Sequence, residues 1–225
     1  MSELNSQAQL PEGTILITDR QLAGRGHRGN TWESSPSLNL TFSTLLKPVF
    51  LAVKDQFQLN MAISLAVSDA VQKSISNVIR LKWPNDIYIE DRKVGGMLIE
   101  NQLQGGMISS SIVGIGLNVN QEDFTHPKAS SLYIVSGVLT ELNSLFQQLV
   151  ESIEHRYLDL RAGNVMRLKE QYLATMYKFN EPHRFEASGV SFLGRIENVD
   201  EDGRLCVAAE GETRMFAFKE VKFLD

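Results

Sequence analysis

The chain has 225 residues, 22 of them basic and 27 acidic, giving a net charge of −5 at neutral pH. That length suits one large folded unit with a small appendage, and the acidic balance argues against bulk nucleic-acid binding. The single cysteine, Cys206, excludes an internal disulfide framework and fits a reducing, cytoplasmic compartment; no apolar run is long enough to span a bilayer, and no basic segment leads into an apolar core at the start.

Taken in chain order, Thr14–Thr18 reads as the first strand, followed at once by Gln21-Leu22-Ala23-Gly24-Arg25-Gly26-His27-Arg28-Gly29-Asn30-Thr31-Trp32. Glycines interleaved with Arg25, His27 and Arg28 make a loop suited to anions. Its backbone N–H groups become accessible, and each guanidinium can grip phosphate or carboxylate oxygens with two hydrogen bonds. The loop is not of the Walker or dinucleotide type, because no Gly-Lys-Ser/Thr ends it and no helix pattern follows. A nucleic-acid loop or plain disorder would share this composition. Trp32 is either a core residue or a platform on which a purine stacks.

A helix is expected from Lys54 to about Ile75, with Phe57, Met61, Ala66 and Ala70 inward, then a strand at Val78–Lys82. Next come Lys82-Trp83-Pro84-Asn85-Asp86 and, seven residues after Asp86, Lys93-Val94-Gly95-Gly96. This stretch sets an amide, a carboxylate and a lysine beside glycines. Asp86 is suited to a divalent cation, and Lys93 to neutralising a phosphate or carboxylate. Asp86–Glu90 and Lys93–Gln102 form a hairpin about an Asp91-Arg92 turn, with Glu90 opposite Lys93. Asp86 and Lys93 then share a face but lie roughly 13 Å apart, too far to pair directly. A surface hairpin with solvated charges is the plain alternative.

Gly105-Gly106 turns the chain into a strand over Met107–Val119. Within it, Ile112-Val113-Gly114-Ile115-Gly116-Leu117-Asn118-Val119-Asn120 puts Gly114 and Gly116 on one face, where something comes close to the main chain, with Asn118 continuing that face. The alternative is a tightly packed strand with an Asn-rich end. Helices follow at about Leu139–Arg161, with a core stripe of Leu142, Leu145, Phe146, Leu149, Ile153 and Leu160, and near Val165–Tyr177. Past Asn180-Glu181-Pro182 the chain is all short strands and turns, as in a small barrel, and Cys206 in one of them reads as structural. The four histidines show no metal-ligand spacing.

Together the Gly-Arg-Gly loop, Lys-Trp-Pro-Asn-Asp, Lys-x-Gly-Gly and Gly-x-Gly-x-Asn resemble the biotin protein ligase family, over Gly13 to Asp225. The resemblance implies an α+β fold, with a mixed-sheet catalytic domain at residues 1–180. A small SH3-like β-barrel at 181–225 would help complete the ATP site and dock the carrier. It implies a ligase that forms biotinoyl-5′-AMP from biotin and MgATP, then moves biotin to a lysine of the biotin carboxyl carrier protein of acetyl-CoA carboxylase or a related carboxylase. By the same resemblance Gln21, Gly24, Arg25, Gly26 and His27 bind biotin and its adenylate. Lys93 contacts the carboxylate and the transferring phosphate, with Arg25 adding charge. Trp32 stacks on adenine, Asn118 fixes the nucleotide, Asn85 and Asp86 organise phosphate and Mg²⁺, and Gly114 and Gly116 leave room for the biotin rings. This chemistry needs positioning and charge neutralisation and no side-chain nucleophile. A general base is not identifiable, Asp86 being one candidate.

Two departures from the family stand out. His27 replaces the usual arginine, so leakage of biotinoyl-AMP is expected to exceed that of a His27→Arg variant, unless histidine itself donates to phosphate. Equal labelling of bystander lysines by the two proteins would overturn this expectation. Met1–Glu12 also lacks the family's Ser-Thr-Asn strand, read as a truncated start that leaves full activity in question. About a dozen residues before Gly13 are too few for the helix-turn-helix of family repressors, so no operator binding is expected. A non-catalytic biotin- or nucleotide-binding module and a lipoate–protein ligase are the competing readings.

Overall fold

In the computed structural model, which describes residues 10–21, 24 and 32–224, the elements run β1 (Ile15–Ile17), β2 (Leu40–Leu46), α1 (Gln56–Ser74), β3 (Ile79–Lys82), β4 (Asp86–Ile89), β5 (Arg92–Gln104), β6 (Met107–Leu117), α2 (Leu132–Ser136), α3 (Leu142–Arg161), α4 (Val165–Thr175), β7 (Pro182–Ala187), β8 (Val190–Val199), β9 (Leu205–Ala209), β10 (Glu212–Phe216) and β11 (Lys222–Phe223). The first six strands form one sheet, in the order β1-β2-β6-β5-β4-β3. Its centre is the long β5–β6 hairpin, whose turn uses Gly105 and Gly106 at φ of 61° and 80°, a region that favours glycine. The sheet expected to be mixed is antiparallel in every ladder among the described residues. Parallel pairing enters it only through single bridges, Leu81 with Met176 and Lys93 with Ala129.

The α1 helix is buried on nearly all sides, because it lies between the sheet and the pair α3 and α4. Met61, Ala66 and Ala70 point inward as expected, whereas Phe57 is partly buried at the edge of the core. On α3, Leu145, Leu149, Ile153 and Leu160 are buried, and Leu142 and Phe146 pack beside them. Facing these helices are Leu40, Phe42, Ile87, Ile89, Met97, Val113, Ile115 and Leu117 of the sheet. By strand alternation Thr41, Ser43, Gly96, Leu98, Gly114 and Gly116 take the opposite face. The sequence reading missed β2 altogether. Its seven residues are almost wholly buried, so no simple in–out alternation marks it.

The second sheet, β10-β9-β8-β7-β11, encloses a core of Phe185, Phe192, Ile196, Val199, Leu205, Val207 and Phe216, in which Phe185 and Phe192 stack at 5.7 Å. It docks on the first unit through Trp83, whose Nε1 donates to the carbonyl of Gly203 at 2.9 Å. Phe218 lies 6.2 Å from the indole, ring to ring. Gly203 sits at φ +81°, and a Cβ there would lie 2.6 Å from ring carbons of Phe57. Gly203→Ala is therefore expected to lower stability by roughly 2–4 kcal/mol, summing left-handed strain and overpacking. Chemical denaturation checks it, and an unchanged midpoint would refute it. No helix of the described residues is long and apolar enough to cross a membrane.

Candidate functional site

Register builds the site. The ladders align Lys82 of β3 with Asp86 of β4, Asp86 with Gly96 of β5, Gly96 with Gly116 of β6, and Gly116 with Thr41 of β2. Directly opposed residues on paired strands share a face, so these five form one row across the sheet, on the side away from the helices. Two of the five are glycines, and the row is therefore low in its middle, with charge at one end and a hydroxyl at the other.

The β4–β5 hairpin corrects the expected geometry. The turn is Glu90-Asp91, with Glu90 at φ 54°, and Arg92 already pairs with Ile89. Lys93 then lies opposite Tyr88, two residues from Asp86 instead of four. A β-bulge follows, because Ile87 pairs with Gly95 and leaves Val94 unmatched and fully buried. The remaining offset is roughly 6.6 Å along the strand, within reach of a lysine side chain. Lys93 Nζ stands 2.6 Å from Asp86 Oδ1, so the two pair directly, contrary to the 13 Å separation expected from the sequence. Both groups lie over Gly96, where a Cβ would come 3.1 Å from Asp86 Oδ1 and 3.3 Å from Lys93 Nζ.

The backbone of Lys93 is held from the other side. Its N–H donates to the carbonyl of Lys128 and its carbonyl accepts from Ser130, each at 2.8 Å. Asn118 completes that wall, its Nδ2 donating to the Ser130 carbonyl at 2.9 Å, while its buried Oδ1 has no partner among the described residues. Trp32, Glu33, Tyr88, Lys93, Asn118, Phe124, Lys128 and the chain between them enclose a cavity of about 840 Å³. Lysines 93 and 128 on its wall make it suited to an anion.

Trp32 divides this cavity from a second pocket. Its indole lies on Gly116, where a Cβ would come 2.7 Å from Cζ2 and 2.8 Å from Nε1. Beyond the indole, Gln21, Thr41, Ser43, Gly96, Leu98, Glu100, Gly114 and Gly116 line a remaining space of only about 120 Å³. Gln21 Oε1, Trp32 Nε1 and Thr41 Oγ1 are buried there without hydrogen-bond partners among the described residues. Buried polar atoms of folded proteins nearly always have partners, so three orphans around one pocket leave it able to hydrogen-bond a polar guest. The neck of the glycine-rich loop is pinned by Trp32 N–H donating to the Gly24 carbonyl at 3.0 Å.

Of the residues singled out in the sequence, the fold thus brings together Gln21, Trp32, Asp86, Lys93, Gly114, Gly116 and Asn118, with Gly24 at the loop neck. Arg25, Gly26 and His27 lie outside the described residues. Asn85 is engaged elsewhere: its side-chain amide donates to the Met97 carbonyl, and Met97 N–H returns a bond to the Asn85 carbonyl. The sequence reading passed over Thr41, Ser43, Tyr88 and the Asn39–Gln121 pair. Asn39 Oδ1 accepts from Val119 N–H, and its Nδ2 donates to Gln121 Oε1, tying the chain after Trp32 to the end of β6. The hydroxyls of Thr41 and Ser43 at alternate positions were the one available signal. Among the described residues no three acidic, histidine or cysteine side chains cluster as a metal cage.

A sheet face cleared by glycines and edged by an Asp–Lys pair thus lies between a small pocket and a larger, lysine-walled cavity. The model of the biotin/lipoate A/B protein ligase family matches residues 1–118, and the chain belongs to that family. It is 29% identical over 205 residues to the bifunctional ligase/repressor BirA of Bacillus spizizenii, covering 89% of this chain and 63% of that one. To the biotin–[acetyl-CoA-carboxylase] ligase of Mycobacterium tuberculosis it is 29% identical over 218 residues, covering 95% and 80%. The Aquifex aeolicus biotin protein ligase solved with biotin and ATP superimposes with a TM-score of 0.82 at 27% identity, over 99% of this chain and 93% of that one. The chain spans somewhat under two-thirds of the length of the Bacillus ligase/repressors.

Proposed function

We propose that this protein is a biotin–protein ligase. In the first step a biotin carboxylate oxygen forms a bond to the α-phosphorus of ATP, the bond to the β-phosphate oxygen breaks, and pyrophosphate leaves. In the second, a lysine amine of a biotin carboxyl carrier domain bonds to the acyl carbon, AMP departs with the electron pair of the acyl–oxygen bond, and the amine loses a proton. The observation that carries this reading is the Lys93–Asp86 pair seated on Gly96, between the orphan-lined pocket and the cavity. An ammonium at that junction stands where a carboxylate and a phosphate must meet, and fixed charge there lowers the barrier without reorganisation.

Among the described residues, placement supports the remaining roles. Gln21 Oε1 suits an N–H donor of the biotin ureido ring, and Trp32 Nε1 and Thr41 Oγ1 suit its carbonyl. Gly114 and Gly116 keep the floor low, and the indole of Trp32, lying between the two spaces, serves the adenine. Asn118 Oδ1 offers the nucleotide an acceptor, and Gly24, Arg25, Gly26 and His27 are assigned to biotin and its adenylate by family resemblance. Asn85 supports the site by holding the turn before β4 to β5. One carboxylate already shared with a lysine does not fit a resident metal cage. Asp86 would instead hold a magnesium ion brought in with ATP. Such an ion would neutralise the phosphates.

The unit divides near Asn180, with residues 181–225 serving the nucleotide site and carrier docking from the second sheet. A net charge of −5 supports a carrier protein over nucleic acid as the macromolecular partner, and the single thiol supports the cytoplasm. Biotin-dependent ATP–pyrophosphate exchange by this chain, with lipoate as the competing acid, tests the assignment. Exchange with biotin and transfer to a carrier domain are expected. Exchange with lipoate alone would point to the sister activity, and biotin binding without exchange to a non-catalytic module.

A further inference from the structure

At the charged end of the cross-strand row, Lys82 is partly buried and makes no ion pair among the described residues. Its ammonium sits among three rings from three separate parts of the chain: 4.7 Å from the centre of Tyr88 on β4, 5.0 Å from Phe223 on β11, and 5.5 Å from Tyr177, just beyond α4. Tyr177 is itself fixed, its N–H bonded to the Leu81 carbonyl at 2.9 Å and its hydroxyl donating to Asp91 at 2.6 Å. Asp86, the cross-strand neighbour of Lys82, is already taken by Lys93. Burial disfavours the charged form of Lys82, Asp86 favours it, and Lys128 and Lys93 oppose it again. An apolar side chain of similar length would fill this box without those penalties.

What the ammonium does there is donate to the Tyr88 hydroxyl oxygen at 3.3 Å. That bond orients the phenol. With its oxygen accepting from a cation, the remaining O–H must point elsewhere, and Tyr88 lines the lysine-walled cavity. Burial chiefly, then Asp86 and Asp91, keep the phenol protonated, so it stays a donor. A donor whose oxygen is bonded to an ammonium is also a stronger one.

We propose that Lys82 is a positioning residue for the nucleotide, turning the Tyr88 hydroxyl into a fixed hydrogen-bond donor toward the phosphates in the cavity. The inference rests on the ligase reading above and assigns a role to the lysine of Lys-Trp-Pro-Asn-Asp. It also explains why Phe223 of the C-terminal sheet is brought to this point, since it forms one wall of the box that holds the ammonium.

The test is a double-mutant cycle with Lys82→Met and Tyr88→Phe, reading KM for ATP and KM for biotin in pyrophosphate exchange. Each single variant is expected to raise KM for ATP about tenfold, the usual scale for one hydrogen bond to a charged group. KM for biotin should stay within about twofold. Lys82→Met/Tyr88→Phe should be no worse than Tyr88→Phe alone, because the lysine acts through the phenol. Lys82→Arg should restore most of the ATP affinity, and it keeps the test alive if Lys82→Met folds poorly. Additive effects, an unchanged KM for ATP in Tyr88→Phe, or parallel losses for biotin and ATP would overturn the proposal. Absence of exchange in the wild-type chain would overturn the ligase reading beneath it.

Discussion

Replacing Lys93 with alanine is expected to lower biotin-dependent pyrophosphate exchange by roughly 100- to 1,000-fold, the range found when one preorganised charge-stabilising group is removed. The loss should fall on chemistry and not on folding. The two side chains of the Lys93–Asp86 pair are 32% and 26% exposed, and they sit at the mouth of the sheet, outside the core. Such pairs contribute about 0–1 kcal/mol to stability, so the denaturation midpoint should barely move. Removing the ammonium does more than subtract a favourable contact. It leaves the Asp86 carboxylate uncompensated beside the place where a carboxylate and a phosphate have to approach, adding repulsion to the lost attraction. Lys93→Arg keeps the charge but carries a planar fork in place of a compact ammonium over Gly96, where only 3.3 Å separates Nζ from a would-be Cβ. It should recover part of the rate. Exchange and stability falling together in Lys93→Ala would show that the pair is structural and sink the assignment.

That pair also shows where sequence reading stopped. The shared face of Asp86 and Lys93 was legible, because period-two alternation survives a shift of the turn by one position at each side. Their contact was not. It depends on a Glu90-Asp91 turn and on the unmatched Val94, and a β-bulge leaves no mark in residue type. Gly114 and Gly116 were legible as a cleared floor because two glycines interrupt an otherwise apolar strand. Thr41 and Ser43, which face them, went unread with the rest of β2. Asn118 and Asn85 look alike in sequence, each a polar residue at a strand end. Only packing tells them apart, since Asn118 stands on the cavity wall with a buried Oδ1 that has no partner among the described residues, whereas Asn85 spends its amide on Met97. The long helices were readable from their periodic leucines. The α1 helix was readable as well, although its burial on nearly every side blurs the inward face that a surface helix would show.

The floor glycines supply the second large effect. A methyl group is expected to be tolerated at Gly114 and not at Gly116, though the two lie two residues apart on one strand face. At Gly114 a Cβ would meet Leu98 O at 3.6 Å and Ser43 Oγ at 3.7 Å, ordinary contacts. At Gly116 it would run into the indole of Trp32, with Nε1 at 2.8 Å. Either Trp32 leaves its seat or the strand shifts, and overpacking of this kind costs about 1–3 kcal/mol. Because Trp32 and Gly116 both line the pocket, that cost should appear in ligand affinity, as biotin binding weakened roughly 5- to 150-fold in Gly116→Ala against a few-fold at most in Gly114→Ala. The same strain should lower the denaturation midpoint of Gly116→Ala by up to that amount and leave Gly114→Ala near wild type. Tryptophan emission reports the event directly. The chain has two tryptophans, and Trp83 is buried with its Nε1 bonded to Gly203, so a change in emission on substitution at Gly116 belongs to Trp32. Weaker biotin binding with a shifted emission would place the indole in the ligand's path. Unchanged binding with a shifted emission would mean that Trp32 leaves this seat whenever biotin enters, and that the floor of the pocket is already deep enough without a glycine at 116.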